Sequence, residues 1–172
     1  MKICVVIPTY NEAKVIANII RAIRQQELEV VVIDDGSQDN TSRIAKDNGA
    51  IVLRNETNEG KGASLIKGFH YALNGGFDTV ITMDGDGQHL PSEIPYFIRL
   101  AQYSKSGILI GNRMLKTEGM PFVRVITNKF MSRLISFAAG QRIPDTQCGF
   151  RLIKKEVLEK INLRTSKYET ES

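Results

Sequence analysis

Residues 83–89, Met-Asp-Gly-Asp-Gly-Gln-His, set two carboxylates two positions apart directly after the run Val80-Ile81-Thr82. On an extended backbone, positions i and i+2 face the same side, so Asp84 and Asp86 are expected within several ångströms of each other. At an effective dielectric near 20, two such charges about 4 Å apart repel by roughly 4 kcal/mol. A positive group is therefore expected between or beside them. A divalent cation is the obvious candidate, because hard cations take carboxylate, amide and water oxygens. The glycines permit tight turning and let a bulky ligand approach the backbone. The plain alternative is an Asp-Gly turn on a solvated loop.

Other polar clusters could also do chemistry. Asn58-Glu-Gly-Lys-Gly-Ala-Ser64 invites a P-loop reading, but Lys61 is followed by Gly62 rather than Ser or Thr, and Asn55 stands where the first glycine is required. The segment instead follows a strand and can open a helix, whose free amides favour an anion. Lys61 is then either a diphosphate or base contact or a solvated lysine. Asp34-Asp35 with a lysine suggests a phospho-receiver site, which would leave the segments around residues 84 and 120–142 unexplained. Asp34 reads as a cap or structural turn, and Asp35 as a ligand contact. No Ser-His-Asp or Cys-His arrangement is present. His70 falls on a helix and His89 reads as a turn residue supporting the carboxylates, not as a base.

These clusters need elements to hold them. Short apolar runs predict strands at 3–7, 29–33, 51–53, 79–83 and 107–110, and apolar periodicity predicts helices at 13–25, 41–48, 61–73 and 92–104. Alternating strands and helices imply a doubly wound parallel sheet. Ligands bind such sheets beyond the carboxyl ends of the strands. Pro-Thr-Tyr-Asn-Glu12, Asp-Asp-Gly-Ser37 and Asp-Gly-Asp-Gly-Gln-His89 all fall there, after the first, second and fourth strands.

At 172 residues the chain reads as one domain, 1–172, large enough for a hydrophobic core. With 42% hydrophobic and 24% charged residues, disorder is not expected. A net charge of +4 does not indicate nucleic acid, although residues 120–142 hold Arg124, Lys129, Arg133 and Arg142 without an acidic residue. Cys4 falls in a predicted buried strand and Cys148 in a loop-like stretch, which suggests neither a disulfide framework nor a zinc site. The N-terminal apolar run ends at Pro8, too short for a signal sequence, and no window approaches a membrane span. A cytoplasmic setting is expected. The chain stops at Tyr168-Glu-Thr-Glu-Ser172 without a cap, which reads as a domain cut short at its C-terminus.

Taken together, Pro-Thr-Tyr-Asn-Glu, Asp-Asp-Gly-Ser, Asn-Glu-Gly-Lys-Gly-Ala-Ser, Met-Asp-Gly-Asp-Gly-Gln-His, Gly-Asn-Arg113 and Asp145-Thr-Gln-Cys-Gly-Phe-Arg-Leu-Ile resemble the family 2 inverting glycosyltransferases. The nearest branch is that of the dolichyl- and polyprenyl-phosphate mannose or glucose synthases. The resemblance runs from residue 3 to about 171, in the family's order and spacing. It implies the GT-A nucleotide-diphospho-sugar transferase fold: an α/β domain with a Rossmann-like, mostly parallel sheet and helices on both faces.

The resemblance also implies roles. Pro8, Tyr10, Glu12 and Asp35 match positions that hold the base and ribose, with Ile33 beside them, and Asp84 and Gly85 match further nucleotide contacts. Asp86 and Gln88, with Asp84 next to them, match the site of a Mg2+ or Mn2+ ion that bridges the donor diphosphate. Arg113 matches a basic residue at the phosphates, Arg124 and Asn128 match positions that grip the acceptor phosphate, and Asp145 matches a carboxylate used as base or metal partner. Catalysis would then fall to Asp86, Asp145 and Arg113. The implied reaction is metal-dependent, inverting transfer of a hexose from GDP-mannose or UDP-glucose to a polyprenyl phosphate, with no nucleic acid involved. Rival readings are a saccharide or protein acceptor, or a nucleotide-sugar-binding module without turnover. On a helical wheel Val123, Ile126, Phe130, Leu134 and Phe137 share one face, and Arg124, Asn128, Lys129, Ser132, Arg133 and Ser136 the other. Helix 121–139 is either an ordinary helix packed on the sheet or an interfacial helix on an anionic membrane. The second reading makes the protein peripheral at the cytoplasmic face of the membrane.

Overall fold

The computed structural model describes residues 1–112, 122–138, 140 and 142–160, without the side chains of 122–125. Six strands form one sheet: β1 (Ile3–Thr9), β2 (Glu29–Asp34), β3 (Ile51–Arg54), β4 (Thr79–Thr82), β5 (Ile108–Ile110) and β6 (Arg151–Lys154), in the order β3-β2-β1-β4-β6-β5. Helices α1 (Ile16–Arg24), α2 (Thr41–Asp47), α3 (Lys61–Asn74), α4 (Ile94–Tyr103), α5 (Phe122–Ala138) and α6 (Lys155–Leu158) intervene, and a 3-10 turn at Pro91–Glu93 leads into α4. β1 to β4 pair in parallel; β1, β2 and β4 are short buried apolar runs, while β3, at the edge of the sheet, is only partly buried.

Side chains alternate across β1 and feed two cores. Val5 and Ile7 point to the layer of Ile16, Ile20, Ile23, Ala45, Ile94 and Phe97. Cys4 and Val6 point to the layer of Leu65, Phe69, Ala72 and Leu158. Helices therefore cover both faces, as the buried, continuous strands require. Cys4 and Cys148 are both buried and are not joined in a disulfide. Burial, with Glu29 nearby, pushes the Cys4 thiol up to about 12, so it is inert at neutral pH.

β6 and α6 were not expected from the sequence. β6 runs antiparallel between β4 and β5, with Thr82 opposite Arg151 and Ile110 opposite Arg151 on the other side. It is four residues long, and only Leu152 and Ile153 are buried, so its apolar signal is brief. Its direction matters for function. An antiparallel strand begins at the edge where its parallel neighbours end, so residues 145–150 are delivered beside Asp84. Among the described residues no helix is long and apolar enough to cross a membrane.

Candidate active site

The loops after β1 and β2 are pinned to each other. Asn11 adopts a left-handed φ of 58°, and its Oδ1 accepts from the Gln38 amide at 2.8 Å. The Asn11 amide donates to Ser37 Oγ and the Glu12 amide to Thr41 Oγ1, both at 2.9 Å. Asp34 is fully buried and accepts from the Ser37 amide and the Ser42 hydroxyl. Its role is structural, as the turn reading expected. Gly36, at φ 77°, lies so near the Thr57 backbone that a Cβ would come to 2.8 Å of its carbonyl carbon.

Asp35 sits at the floor. Its Oδ1 accepts from Asn55 Nδ2 at 2.8 Å and the Glu59 amide at 2.9 Å, and its Oδ2 accepts from the Gly60 amide at 2.8 Å. These bonds fix the Asn-Glu-Gly-Lys segment so that α3 opens at Lys61, at the edge where β1, β2 and β4 end.

Lys61 then reaches across to β4's loop. Its Nζ lies 2.6 Å from Asp84 Oδ1, while His89 Nε2 is 3.2 Å from Asp84 Oδ2. His89 is buried and stacks on Phe150, with ring centroids 5.5 Å apart. Burial alone would raise the Asp84 pKa, but the His89 hydrogen bond and the Lys61 ammonium hold this carboxyl well below the usual range. The charge repulsion inferred from the sequence called for a positive group, and Lys61 supplies it at Asp84.

Gly149 closes the other side of this carboxylate. A Cβ there would lie 2.3 and 2.6 Å from the two Asp84 oxygens. Gly149→Ala is therefore expected to dislodge Asp84 from Lys61 and His89, at an overpacking cost of about 1–3 kcal/mol. Thermal unfolding together with calorimetric nucleotide titration checks this. Unchanged stability and unchanged affinity would mean that the Asp84 position is unimportant.

Pro8, Thr9, Tyr10, Glu12, Asp35, Asn58, Gly60, Lys61, Ser64, Asp84, Gly85, Asp86 and Gln147 line one cavity of about 430 Å³. That volume suits a small polar ligand. Gly85 lets the β4 loop close on β1, since a Cβ there would be 2.6 Å from Thr9 Cγ2. Eight residues singled out in the sequence thus meet here: Pro8, Tyr10, Glu12, Asp35, Lys61, Asp84, Gly85 and Asp86. Thr9, Asn58, Gly60, Ser64 and Gln147 also line it and were not assigned, although each lies inside a motif already quoted.

Other candidates lie elsewhere. Ile33 is fully buried in the core beneath α3 and does not line the cavity. Asp145 is buried and accepts from the Gln147 amide at 3.2 Å, which shapes the loop carrying Gln147. Arg113 and the side chain of Arg124 lie outside the described residues. Asn128 is 1% exposed, with its Nδ2 unpartnered, on the inner side of α5.

The donor set decides whether a divalent cation fits. Asp86 is exposed, lines the cavity, and accepts from the Gln88 amide at 2.9 Å, so the exposed Gln88 lies beside it. The Glu12 pKa is raised by burial and then by the negative charge of Asp86, which marks this rim as cation-attracting. Asp84 already has partners on both of its oxygens. Among the described residues no three His, Cys, Asp or Glu side chains converge on a metal position. The arrangement fits a cation held by Asp86 and Gln88 that takes its remaining ligands from phosphate and water, a common mode for Mg2+.

α5 reverses the packing expected of an ordinary surface helix. Its apolar side faces solvent: Ile126, Phe130, Leu134 and Phe137 are 52, 65, 55 and 89% exposed. The inner side is polar instead. Ser132 Oγ accepts from the Thr146 amide at 3.1 Å, and Ser136 Oγ accepts from the Ile143 amide at 2.8 Å. Lys129 and Arg133 are exposed along one flank of the apolar stripe.

The chain matches the model of the family described as glycosyl transferase family 2 over residues 4–162. It is similar to the UDP-N-acetylglucosamine–dolichyl-phosphate N-acetylglucosaminyltransferase of Methanococcus voltae, with 29% identity over 98% of this chain and 76% of that one. It is also similar to the dolichol-phosphate mannosyltransferase of Pyrococcus furiosus, with 34% identity over 95% of this chain and 49% of that one. In three dimensions it resembles glucosyl-3-phosphoglycerate synthase from Mycobacterium tuberculosis, solved with Mn2+, UDP and glucosyl-3-phosphoglycerate, at a TM-score of 0.74 and 22% identity. That likeness covers 99% of this chain and 62% of the synthase, and shows the GT-A fold expected from the motifs.

Proposed function

We propose, from the premise that this chain belongs to glycosyl transferase family 2 and is a glycosyltransferase, that it moves a hexose from a nucleoside diphosphate sugar to a polyprenyl phosphate at a membrane surface. One observation carries the lipid part of this reading: α5 turns Ile126, Phe130, Leu134 and Phe137 outward beside Lys129 and Arg133. An apolar stripe edged with cations is the signature of a helix lying in an anionic interface. The polyprenyl-phosphate acceptors named for its relatives point the same way. Residues 1–172 act in this reading as one catalytic domain, peripheral at the cytoplasmic face.

The donor lies along the cavity, with its base and ribose toward Asp35, Tyr10, Pro8 and Glu12 and its diphosphate toward Asp86. Asp86 and Gln88 would hold a Mg2+ or Mn2+ ion there. When bound, such an ion neutralises charge on the leaving diphosphate. Lys61 and His89 fix Asp84 so that Gly85 and Asp86 present a set backbone to the donor. Arg113 and Arg124 align an oxygen of the acceptor phosphate with the anomeric carbon. That oxygen forms the new bond while the bond from anomeric carbon to diphosphate breaks, which inverts the centre and releases the nucleoside diphosphate. The acceptor is already ionised, so no strong base is required. Asp145 then serves by holding the Gln147 loop, and Asn128, buried on α5 with its Nδ2 unpartnered, stands with Arg124 on the acceptor side.

Arg124→Ala tests the acceptor assignment. A charge-assisted contact with a phosphate is worth roughly 1.5–3 kcal/mol, so turnover with polyprenyl phosphate in the full-length protein should fall by about ten- to a hundredfold. Nucleotide affinity should stay near its original value. Equal turnover of the two proteins on the lipid phosphate would remove Arg124 from the site.

A further inference from the structure

The outer face of α4 is apolar, and nothing among the described residues covers it. Ile94, Phe97 and Ala101 are buried in the core, yet Tyr96, Leu100 and Tyr103 are 58, 42 and 85% exposed. At 100° per residue these three fall within about 60° of one another, forming a ridge down the helix. A hollow of about 350 Å³ runs along one flank, lined by Gln26, Leu28, Pro95, Ile98, Arg99 and Gln102. We propose that this surface pairs two copies of the chain about a twofold axis running along α4.

A twofold contact sets one patch against itself, so a ridge needs a hollow beside it on the same surface. α4 has both, with Arg99 between them. An axis parallel to a helix keeps each residue of the second copy at its own height and exchanges the two flanks. Each ridge then meets the other copy's hollow at the height of residues 95–103. The hollow suits a tyrosine, which has an apolar ring and a polar tip. Leu28, Pro95 and Ile98 offer the ring an apolar wall, and Gln26, Arg99 and Gln102 offer the hydroxyl polar groups. The exposed Arg99 guanidinium can stack on a tyrosine ring of the other copy.

Area and orientation agree with a second copy as the occupant. A fully buried aromatic side chain contributes about 150–250 Å². At the exposures above, the four tyrosines of a pair supply roughly half of the 1,000 Å² or so that marks a specific interface. The leucines and the walls of the hollows supply more. α4 starts at the edge that carries the cavity, after the β4 loop, and runs back to the edge where β5 begins. An axis along α4 therefore leaves both cavities, and both α5 stripes, on the same side of the pair. Antiparallel pairing of α4 would point them in opposite directions. The chosen axis lets both copies meet one membrane, in accord with the function proposed above, although the pairing surface itself does not rest on that reading.

Sedimentation velocity of the protein beside its Tyr96→Ser, Tyr103→Ser double variant tests the pairing. At about 10 µM the protein should sediment as a dimer and the variant as a monomer. The expected weakening is about a hundredfold or more, because tyrosines buried at the centre of an interface are frequent hot spots. Circular dichroism should be the same for both, since neither ring is buried in the fold. A monomeric wild type, or a variant that stays dimeric, would overturn the proposal. Ser92→Cys and Arg99→Cys, treated singly with a short bismaleimide, test the axis. Both positions are exposed, whereas Cys4 and Cys148 are buried. The two lie about 10 Å apart along the helix, so with the axis along α4 each should cross-link to its own twin. Linkage at 99 alone is the result of antiparallel pairing and would overturn the axis. Linkage at neither would overturn the pairing.

Discussion

Asp86→Ala is expected to make nucleoside diphosphate binding insensitive to EDTA and to lower turnover by roughly a hundred- to a thousandfold. Asp86 is the exposed cavity-lining carboxylate whose charge is felt at Glu12, while Asp84 already bonds to Lys61 and His89. Removing Asp86 therefore leaves a cation with Gln88 and the donor's own oxygens. Stabilisation of leaving-group charge by a metal is worth several kcal/mol, and each 1.36 kcal/mol of barrier is tenfold in rate. The fold should be intact, because an exposed side chain with one local backbone bond contributes little to stability. Asp84→Ala should behave differently, since it removes the carboxylate bonded to Lys61 and the buried His89 and should lower the melting temperature. Titration of UDP and GDP with Mn2+ and with EDTA reads the first effect directly. If the wild-type affinity is the same in both, the metal assignment is wrong.

Phe130→Ser combined with Phe137→Ser should nearly abolish binding to anionic vesicles. Each aromatic side chain withdrawn from water contributes about 1.5–3 kcal/mol, so the pair accounts for roughly two to four powers of ten in partitioning. At 65 and 89% exposure neither ring holds the fold together, so circular dichroism and melting temperature should hardly move. Lys129 and Arg133 add about 1 kcal/mol each at an anionic surface, a contribution that salt screens. Raising the salt should therefore weaken the wild type further. Vesicle binding that is absent in the wild type, or that survives the double substitution, would assign the apolar stripe to something other than lipid.

Much of this arrangement could be read from residue types. Continuous apolar runs predicted five of the strands, because parallel strands covered on both faces must be apolar throughout. The polar clusters that follow three of those runs meet around the one cavity described above. Other features were less visible. β6 carries two buried residues in four, too few for periodicity to separate it from a loop. The closeness of Gly149 to Asp84 depends on that strand running antiparallel, which nothing local encodes. The Lys61–Asp84 pair joins α3 to the β4 loop across 23 positions of sequence, so the cation beside the carboxylates was sought in a metal. On α5 the wheel grouped Lys129 and Arg133 with the polar face, yet both are exposed beside the apolar stripe, and it could not say which face turns inward. The inner face is set by Ser132 and Ser136 meeting residues 143–146, partners with no apolar signal. Ile33 and Asn128 are the counterpart: both were placed by resemblance at a ligand, and both side chains are buried in the protein.

The most direct test is transfer itself. Full-length protein incubated with radiolabelled UDP-hexose or GDP-hexose, Mn2+ and undecaprenyl phosphate should yield a labelled lipid extractable into organic solvent. The product should be absent with EDTA and absent when dephosphorylated undecaprenol replaces the phosphate. Labelled product on a saccharide or protein acceptor, with none on the lipid phosphate, would contradict the account.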